Sequence, residues 1–234
     1  LIGAIIARNN EEKALYNFTA TMIKTEREFK LKTYPALGLS IVLPFIILFQ
    51  PGINISQLVG TKFYLSLYMC SFMLPQIVIM LQYSQNYKGA FIFRITPLTN
   101  INTYKKAALK AVIIKLLFPV YILESIIFLY LFKITILPDI IIIFVTMLIF
   151  SVISYKLIGN SLPFSKPIVN TEKGVAMILF FLVMLLQGIF AGIHFVVTLF
   201  PFGVYFYSVF LLVINYLIWH FAFKGKTPLK TPDF

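Results

Sequence analysis

From Gly174 to Phe223 the chain runs for fifty residues without a formal charge. Wound as one helix, that stretch would measure about 75 Å, whereas the hydrocarbon core of a bilayer is about 30 Å thick. It must therefore fold back on itself, and FPFG (Phe200–Gly203) marks the place. Proline cannot donate its backbone bond there, and glycine relaxes the turn. Four more apolar runs precede it. Thr33–Thr61 is uncharged, with Gly38–Phe49 as its apolar heart, and Phe63–Tyr87 is uncharged again. Leu116–Phe132 is interrupted only by Glu124, with its helix beginning near Tyr104, and Ile140–Tyr155 extends upstream through Leu137. The expected fold is all-α: a polytopic membrane protein with six transmembrane helices. Composition agrees, because 12% of residues are charged where a soluble domain carries roughly 25%.

Charge placement predicts orientation. Twenty Lys and Arg face eight Asp and Glu, a net charge of +12. For a soluble chain that excess would point to nucleic acid; in a membrane protein its position matters more than its sum, so no nucleic-acid partner is expected. Residues 1–36 hold six basic side chains, the connection after span two holds six, and three follow each of spans four and six. The other connections hold only Lys62 and Lys133. Basic residues concentrate on the cytoplasmic side, so both termini are expected there. Usage of Ile, Lys and Asn points to an AT-rich bacterium and its plasma (inner) membrane.

Three regions follow. Residues 1–35 form a polar lead-in, 36–223 the six-span domain, and 224–234 a cytoplasmic tail. Leu15, Phe18, Met22 and Phe29 recur at spacings of three, four and seven, the stripe of an amphipathic helix lying at the interface near anionic lipid headgroups. Pro35 is its expected stop; a solvated linker is the alternative. A first residue of Leu rather than Met is read as a sign of more chain upstream.

Motifs for chemistry are sparse. Cys70 is the single cysteine, which excludes an internal disulfide and an all-cysteine metal site. Gly225–Thr227 reads GKT, but His220 stands where a nucleotide-binding loop needs its first glycine. The chain is therefore not expected to hydrolyse ATP or to act as an enzyme. His194 and His220 are too far apart for a helical metal pair, no acid lies near either in sequence, and both read as satisfied polar residues at a membrane interface. Glu124 sits in mid-span, where an ionised carboxylate is costly. It is a proton site, a substrate contact or half of an interhelical pair, with a Tyr, Gln187 or another subunit as partner; the alternative is a protonated Glu bonded between helices. Pro44, Pro75 and Pro119 predict kinks in spans one to three. Gly188 and Gly192 form a GxxxG pair that permits close helix packing.

The connection Tyr83–Lys115 carries six basic residues and no acid. Tyr87, Phe91 and Arg94 fall at helical spacing with Phe93 beside them, and TPLTN (Thr96–Asn100) breaks the run before Asn102 or Thr103 caps the next helix. Positive charge needs only headgroups. An exposed aromatic cluster needs headgroups or a protein partner to cover it.

This pattern, with REFKLKTYPALG (Arg27–Gly38), YKGAFIFRITPL (Tyr87–Leu98) and LPFSKP (Leu162–Pro167), resembles the permease subunit of type-2 ATP-binding-cassette (ABC) transporters over nearly the whole chain. The resemblance implies a coupling helix docked in a cytoplasmic ATPase subunit, with Tyr87, Lys88, Gly89, Phe91, Phe93 and Arg94 as docking residues. It implies a second permease copy or homologous half, and ATP and Mg held by the partner with no cofactor in this chain. It also implies short re-entrant helices outside, within Phe190–Gly203. An exporter of a hydrophobic cargo is the expectation. The rivals are a secondary transporter or channel using Glu124, a lipid-modifying enzyme and a membrane scaffold. In a Cys70→Ser background, Lys88→Cys should react with an impermeant thiol reagent only from the cytoplasmic side, and Lys133→Cys only from the other.

Overall fold

The computed structural model describes residues 9–51, 58–91, 100–157, 162–168 and 173–224. Every regular element among them is a helix, apart from an isolated parallel bridge between Tyr83 and Lys166. Six segments are long and apolar enough to cross a membrane: Arg27–Leu48, Phe63–Met80, Ile101–Phe132, Ile134–Leu157, Met177–Val197 and Gly203–Ala222.

The lead-in is the helix α1, Asn10–Thr25, with Glu11 and Glu12 in its first turn and Lys24 in its last. Both placements complement the helix dipole. Leu15, Tyr16, Thr19 and Ile23 are buried, and this face packs against the first half of span three. The Tyr16 hydroxyl has no partner among the described residues, and burial pushes its pKa above the ordinary tyrosine range. Pro35 does not end α1. The break falls at Glu26, a single extended residue, and α2 runs unbroken from Arg27 to Leu48 through both Pro35 and Pro44. Along α2, Phe29, Thr33, Ala36, Ser40, Pro44 and Leu48 form one buried stripe. Thr33 and Ser40 return their hydroxyls to the carbonyls of Phe29 and Ala36. Leu39, Val42 and Ile46 on the other face are exposed.

The second crossing is not a plain α-helix. Phe63–Ser71 winds as a 3₁₀ helix and Leu74–Met80 (α3) as α, with Pro75 in the first turn of α3. Proline is tolerated there because its missing N–H has no intrahelical partner. A 3₁₀ helix rises about 2.0 Å per residue against 1.5 Å for α. The mixed winding thus lets this short segment reach roughly 30 Å.

Span three contains α4 (Ile101–Val112), a π turn (Ile113–Leu117) and α5 (Phe118–Phe132). The α4 cap is Asn100, whose side chain accepts from the amide of Asn102 at 2.9 Å; it stands two or three residues ahead of the expected Asn102 or Thr103. The π turn ends two residues before Pro119, which lies in the first turn of α5, where its missing N–H is tolerated. After Lys133, at φ 70, α6 covers Leu137–Leu157. The Tyr121 hydroxyl ties α5 to α6 by donating to the Ile140 carbonyl at 2.6 Å.

α7 (Lys173–Val197) and α8 (Gly203–Ala222) meet at the expected FPFG turn, with Phe202 at φ 62. The expected re-entrant helices are not formed. Phe190–Val197 simply completes α7, and only a five-residue turn separates it from α8. The second and fourth spans are 67% buried, the fifth and sixth 17% and 11%. The centre of the bundle is therefore the second crossing and α6, and α7 and α8 present Phe181, Leu185, Phe206 and Phe210 outward. A Cβ at Gly203 would overlap the Val197 carbonyl oxygen, whereas one at Gly188 or Gly192 meets nothing within 4 Å. Gly203→Ala should lower stability by about 1–3 kcal/mol; Gly188→Ala and Gly192→Ala should each add about 0.5–1 kcal/mol. Thermal unfolding in detergent checks both.

Candidate functional site

Two of the segments singled out in the sequence, Arg27–Gly38 and LPFSKP, meet at the end of the bundle that carries α1, beside the chain that leads toward Tyr87. The last turn of α3 leaves carbonyls without intrahelical partners, and Leu81 there is fully buried. The LPFSKP segment supplies the partners. Phe164 N–H donates to Leu81 O at 2.7 Å, Lys166 N–H to Gln82 O at 2.9 Å, and Ser84 N–H donates back to Lys166 O at 3.1 Å. Pro163 and Pro167 bias this stretch against helix, so its amides face outward in alternation. The Phe164 ring packs on Phe29 of α2 at 6.2 Å and on Phe18 of α1 at 6.4 Å.

Glu26 closes the junction. Its Oε1 accepts from the Ser84 hydroxyl at 2.9 Å and from the Gln85 amide at 2.7 Å. Ser84 Oγ in turn accepts from the Asn86 amide at 3.0 Å. The break between α1 and α2 therefore falls where a carboxylate is committed to the chain leaving α3. Directly beyond lies a short 3₁₀ turn, Tyr87–Phe91. Of the docking residues inferred from sequence, Lys88 and Gly89 are exposed and Tyr87 is half-buried. Phe91 closes the turn, and Phe93 and Arg94 lie outside the described residues. Glu12 of α1 bonds Lys110 of α4 at 2.6 Å, fixing the lead-in to span three.

A second group is buried toward the opposite end. His194 of α7 lies between Tyr68, whose hydroxyl meets Nδ1 at 3.1 Å, and Asp139 of α6, whose Oδ1 meets Nε2 at 3.0 Å. The Tyr64 hydroxyl donates to the same Asp139 oxygen at 3.1 Å. The Tyr207 ring of α8 stands 5.7 Å from the imidazole. With a proton on Nε2 the ring donates to Asp139 while Nδ1 can accept from the Tyr68 hydroxyl. The sequence placed no acid near His194; the fold brings Asp139 to it across 55 residues. His220, by contrast, is exposed.

Deeper in the bundle, Gln187 Nε2 donates to Ser71 Oγ at 2.7 Å, and Ser71 donates to the Tyr68 carbonyl at 2.9 Å. Glu124 is fully buried, with neither carboxylate oxygen bonded among the described residues. Neither a tyrosine nor Gln187, the expected intrachain partners, bonds it among the described residues: Gln187 Nε2 donates to Ser71, and the nearby Tyr121 hydroxyl to Ile140. The Cys70 thiol and the Tyr121 ring share its neighbourhood. Gly188 lines a cavity of about 390 Å³ between the second crossing and α7, with Ser66, Tyr68 and Gln187 in its wall. Among the described residues no three His, Cys, Asp or Glu side chains gather as a metal site would require.

Comparison of the chain with protein-family models, with curated proteins and with solved structures gave no match in any of the three. The class defined by fold and site is an all-helical protein with six membrane-length apolar helices. His194→Ala should cost about 1–3 kcal/mol, because Asp139 keeps the Tyr64 hydroxyl but loses its imidazole partner, and the Tyr68 hydroxyl loses Nδ1. His220→Ala should stay within about 0.5 kcal/mol. Thermal unfolding of the two variants checks the contrast.

Proposed function

We propose that the chain is the membrane-spanning permease subunit of a bacterial ABC exporter, embedded in the plasma membrane with both termini cytoplasmic. It moves a hydrophobic cargo with ATP hydrolysed by a separate subunit. The observation that supports this reading is the junction at the end of α3, where LPFSKP and the start of α2 meet the chain that leads into the Tyr87–Phe91 turn. A force applied to the Tyr87–Phe91 turn reaches α2 through Glu26 and the loop after α6 through Lys166. A docked ATPase would drive transport by holding two arrangements of this junction with different affinity. A second permease copy would cover the outward faces of α7 and α8, including Gly188 and Gly192.

One observation favours a second reading, in which the chain itself is a secondary transporter. Tyr64, Tyr68, Ser71 and Cys70 lie along one short crossing, linking the Asp139–His194 pair to the neighbourhood of Glu124. Such a polar file is what a proton path needs. Reconstitution separates the two. The first reading expects transport only with an ATPase subunit and ATP; the second expects the bare chain to transport down a proton gradient and Glu124→Gln to abolish it.

The coupling assignment has its own test. Phe91→Ala with Arg94→Ala should abolish ATPase recruitment while leaving the folded membrane domain intact. Glu26→Ala should leave recruitment in place and reduce transport about tenfold or more, through loss of two charge-assisted bonds. Co-purification and vesicle transport assays report these outcomes. Recruitment at wild-type affinity by the double variant rules out this docking surface.

A further inference from the structure

A groove of about 810 Å³ lies along span three where its winding changes from π to α. Ile114, Phe118, Pro119, Ile122 and Ile126 line it from span three, and Phe144 lines it from α6. The Phe118 and Phe144 rings meet at 5.8 Å. Every lining residue is apolar, and Phe118, Ile122 and Ile126 are exposed. From Ile113 to Ile126 the groove follows the helix for about 20 Å. One leaflet supplies only about 15 Å of hydrocarbon, so an extended acyl chain fits lengthwise.

Lys115 stands at the end of this groove nearer α4. It precedes Pro119 by four residues and Ile122 by seven, spacings that stack side chains on one helix face, and it is exposed. The stretch from Lys115 to Phe132, the end of the span, measures about 25 Å, whereas the hydrocarbon core is about 30 Å thick. Its α-carbon therefore lies about one turn inside the boundary, and the flexible stem carries the ammonium up to the headgroups. No acid among the described residues pairs with Lys115. Glu124, the next acid along the span, is buried inside the bundle. An ammonium at that depth needs an anion, and anionic headgroups are the nearest supply.

We propose that this groove binds an anionic phospholipid, with Lys115 on the phosphate and one acyl chain laid along Pro119, Ile122 and Ile126 against Phe144. Charge fixes the class, because a zwitterionic headgroup carries its own ammonium and competes with the lysine for the phosphate. The volume falls within the roughly 300–1,000 Å³ of sites that hold a discrete ligand. The site rests on the chain being embedded in a bilayer. It does not depend on an ATPase partner or on a proton path, and it leaves the Tyr87–Phe91 turn untouched.

Trp219 is the chain's single tryptophan, so Trp219→Phe clears the background for a reporter placed by Phe118→Trp. The full chain is reconstituted in phosphatidylcholine vesicles containing a minor fraction of phosphatidylglycerol brominated on its acyl chains, or the same fraction of brominated phosphatidylcholine. The expected result is markedly stronger quenching at position 118 by the anionic lipid. A second reporter, Phe206→Trp on the outward face of α8, should be quenched equally by both. Lys115→Gln should weaken the apparent affinity at position 118 about fivefold. Lys115→Arg should preserve it, and Lys133→Gln, at the other end of the span, should leave it unchanged. Circular dichroism verifies that each variant is folded. If Lys115→Gln is not, Ile122→Phe, which narrows the groove and keeps the charge, should weaken affinity by a similar factor. Equal quenching by the two lipids at position 118, or unchanged affinity in the folded test variant, overturns the site. The same anionic preference at position 206, or an equal loss in Lys133→Gln, does so too, since either would reflect overall charge. If oleate displaces brominated phosphatidylglycerol at comparable concentration, the groove is a fatty-acid site and the phospholipid assignment fails.

Discussion

A backbone amide or carbonyl placed in hydrocarbon has no water to turn to, and each one left unpaired costs several kcal/mol. That requirement governs the least regular parts of this protein. At the change from 3₁₀ to α winding in the second crossing, the Phe72 and Ile77 amides find the Met69 and Met73 carbonyls, and span three inserts a π turn ahead of Pro119. Where α3 ends in the buried interior, a segment from far along the chain completes its hydrogen bonding. The 3₁₀ winding falls in one of the two best-buried spans, whereas the π turn falls in span three, which is less buried. Around the 3₁₀ segment Tyr64, Leu67, Tyr68 and Cys70 are all buried against neighbouring helices.

The same end of α3 explains why α1 and α2 are separate helices. A residue whose carboxylate accepts from Ser84 and Gln85 must turn its backbone toward them, and Glu26 adopts an extended conformation between two helices. Pro35 and Pro44 could each have ended a helix in isolation. Within α2 they lie along a segment whose buried stripe continues on both sides of them, and packing over that stripe outweighs the loss of one backbone bond at each.

Much of the architecture was legible in the chain because it follows from length and charge alone. The fifty uncharged residues from Gly174 required a turn, and FPFG provides it. The limits of α6 fall within a few residues of the apolar run that announced it. The polar sites were less accessible. Asp139 opens α6 as an ordinary first-turn acid, and nothing within 50 residues of it identifies His194 as its partner; only the packing of α6 against α7 joins them. Glu26 looked like one member of a charged lead-in, because its role is set by Ser84 and Gln85, almost 60 residues away. The one available signal for Asp139 was its isolation as an acid in a connection otherwise dominated by apolar residues. Glu124 was conspicuous for the opposite reason: its own surroundings in sequence were incompatible with a charge.

The winding of the second crossing also sets a distance. Nine residues held as 3₁₀ stand about 4–5 Å taller than the same nine wound as α, and each differs in rotation about the axis by roughly 20°. Rewinding Phe63–Ser71 would therefore act as a screw, shortening the central strut while swinging Tyr64 by nearly half a turn relative to Ser71. The hydroxyl grips on Asp139 and His194 pin the thread in its long pitch.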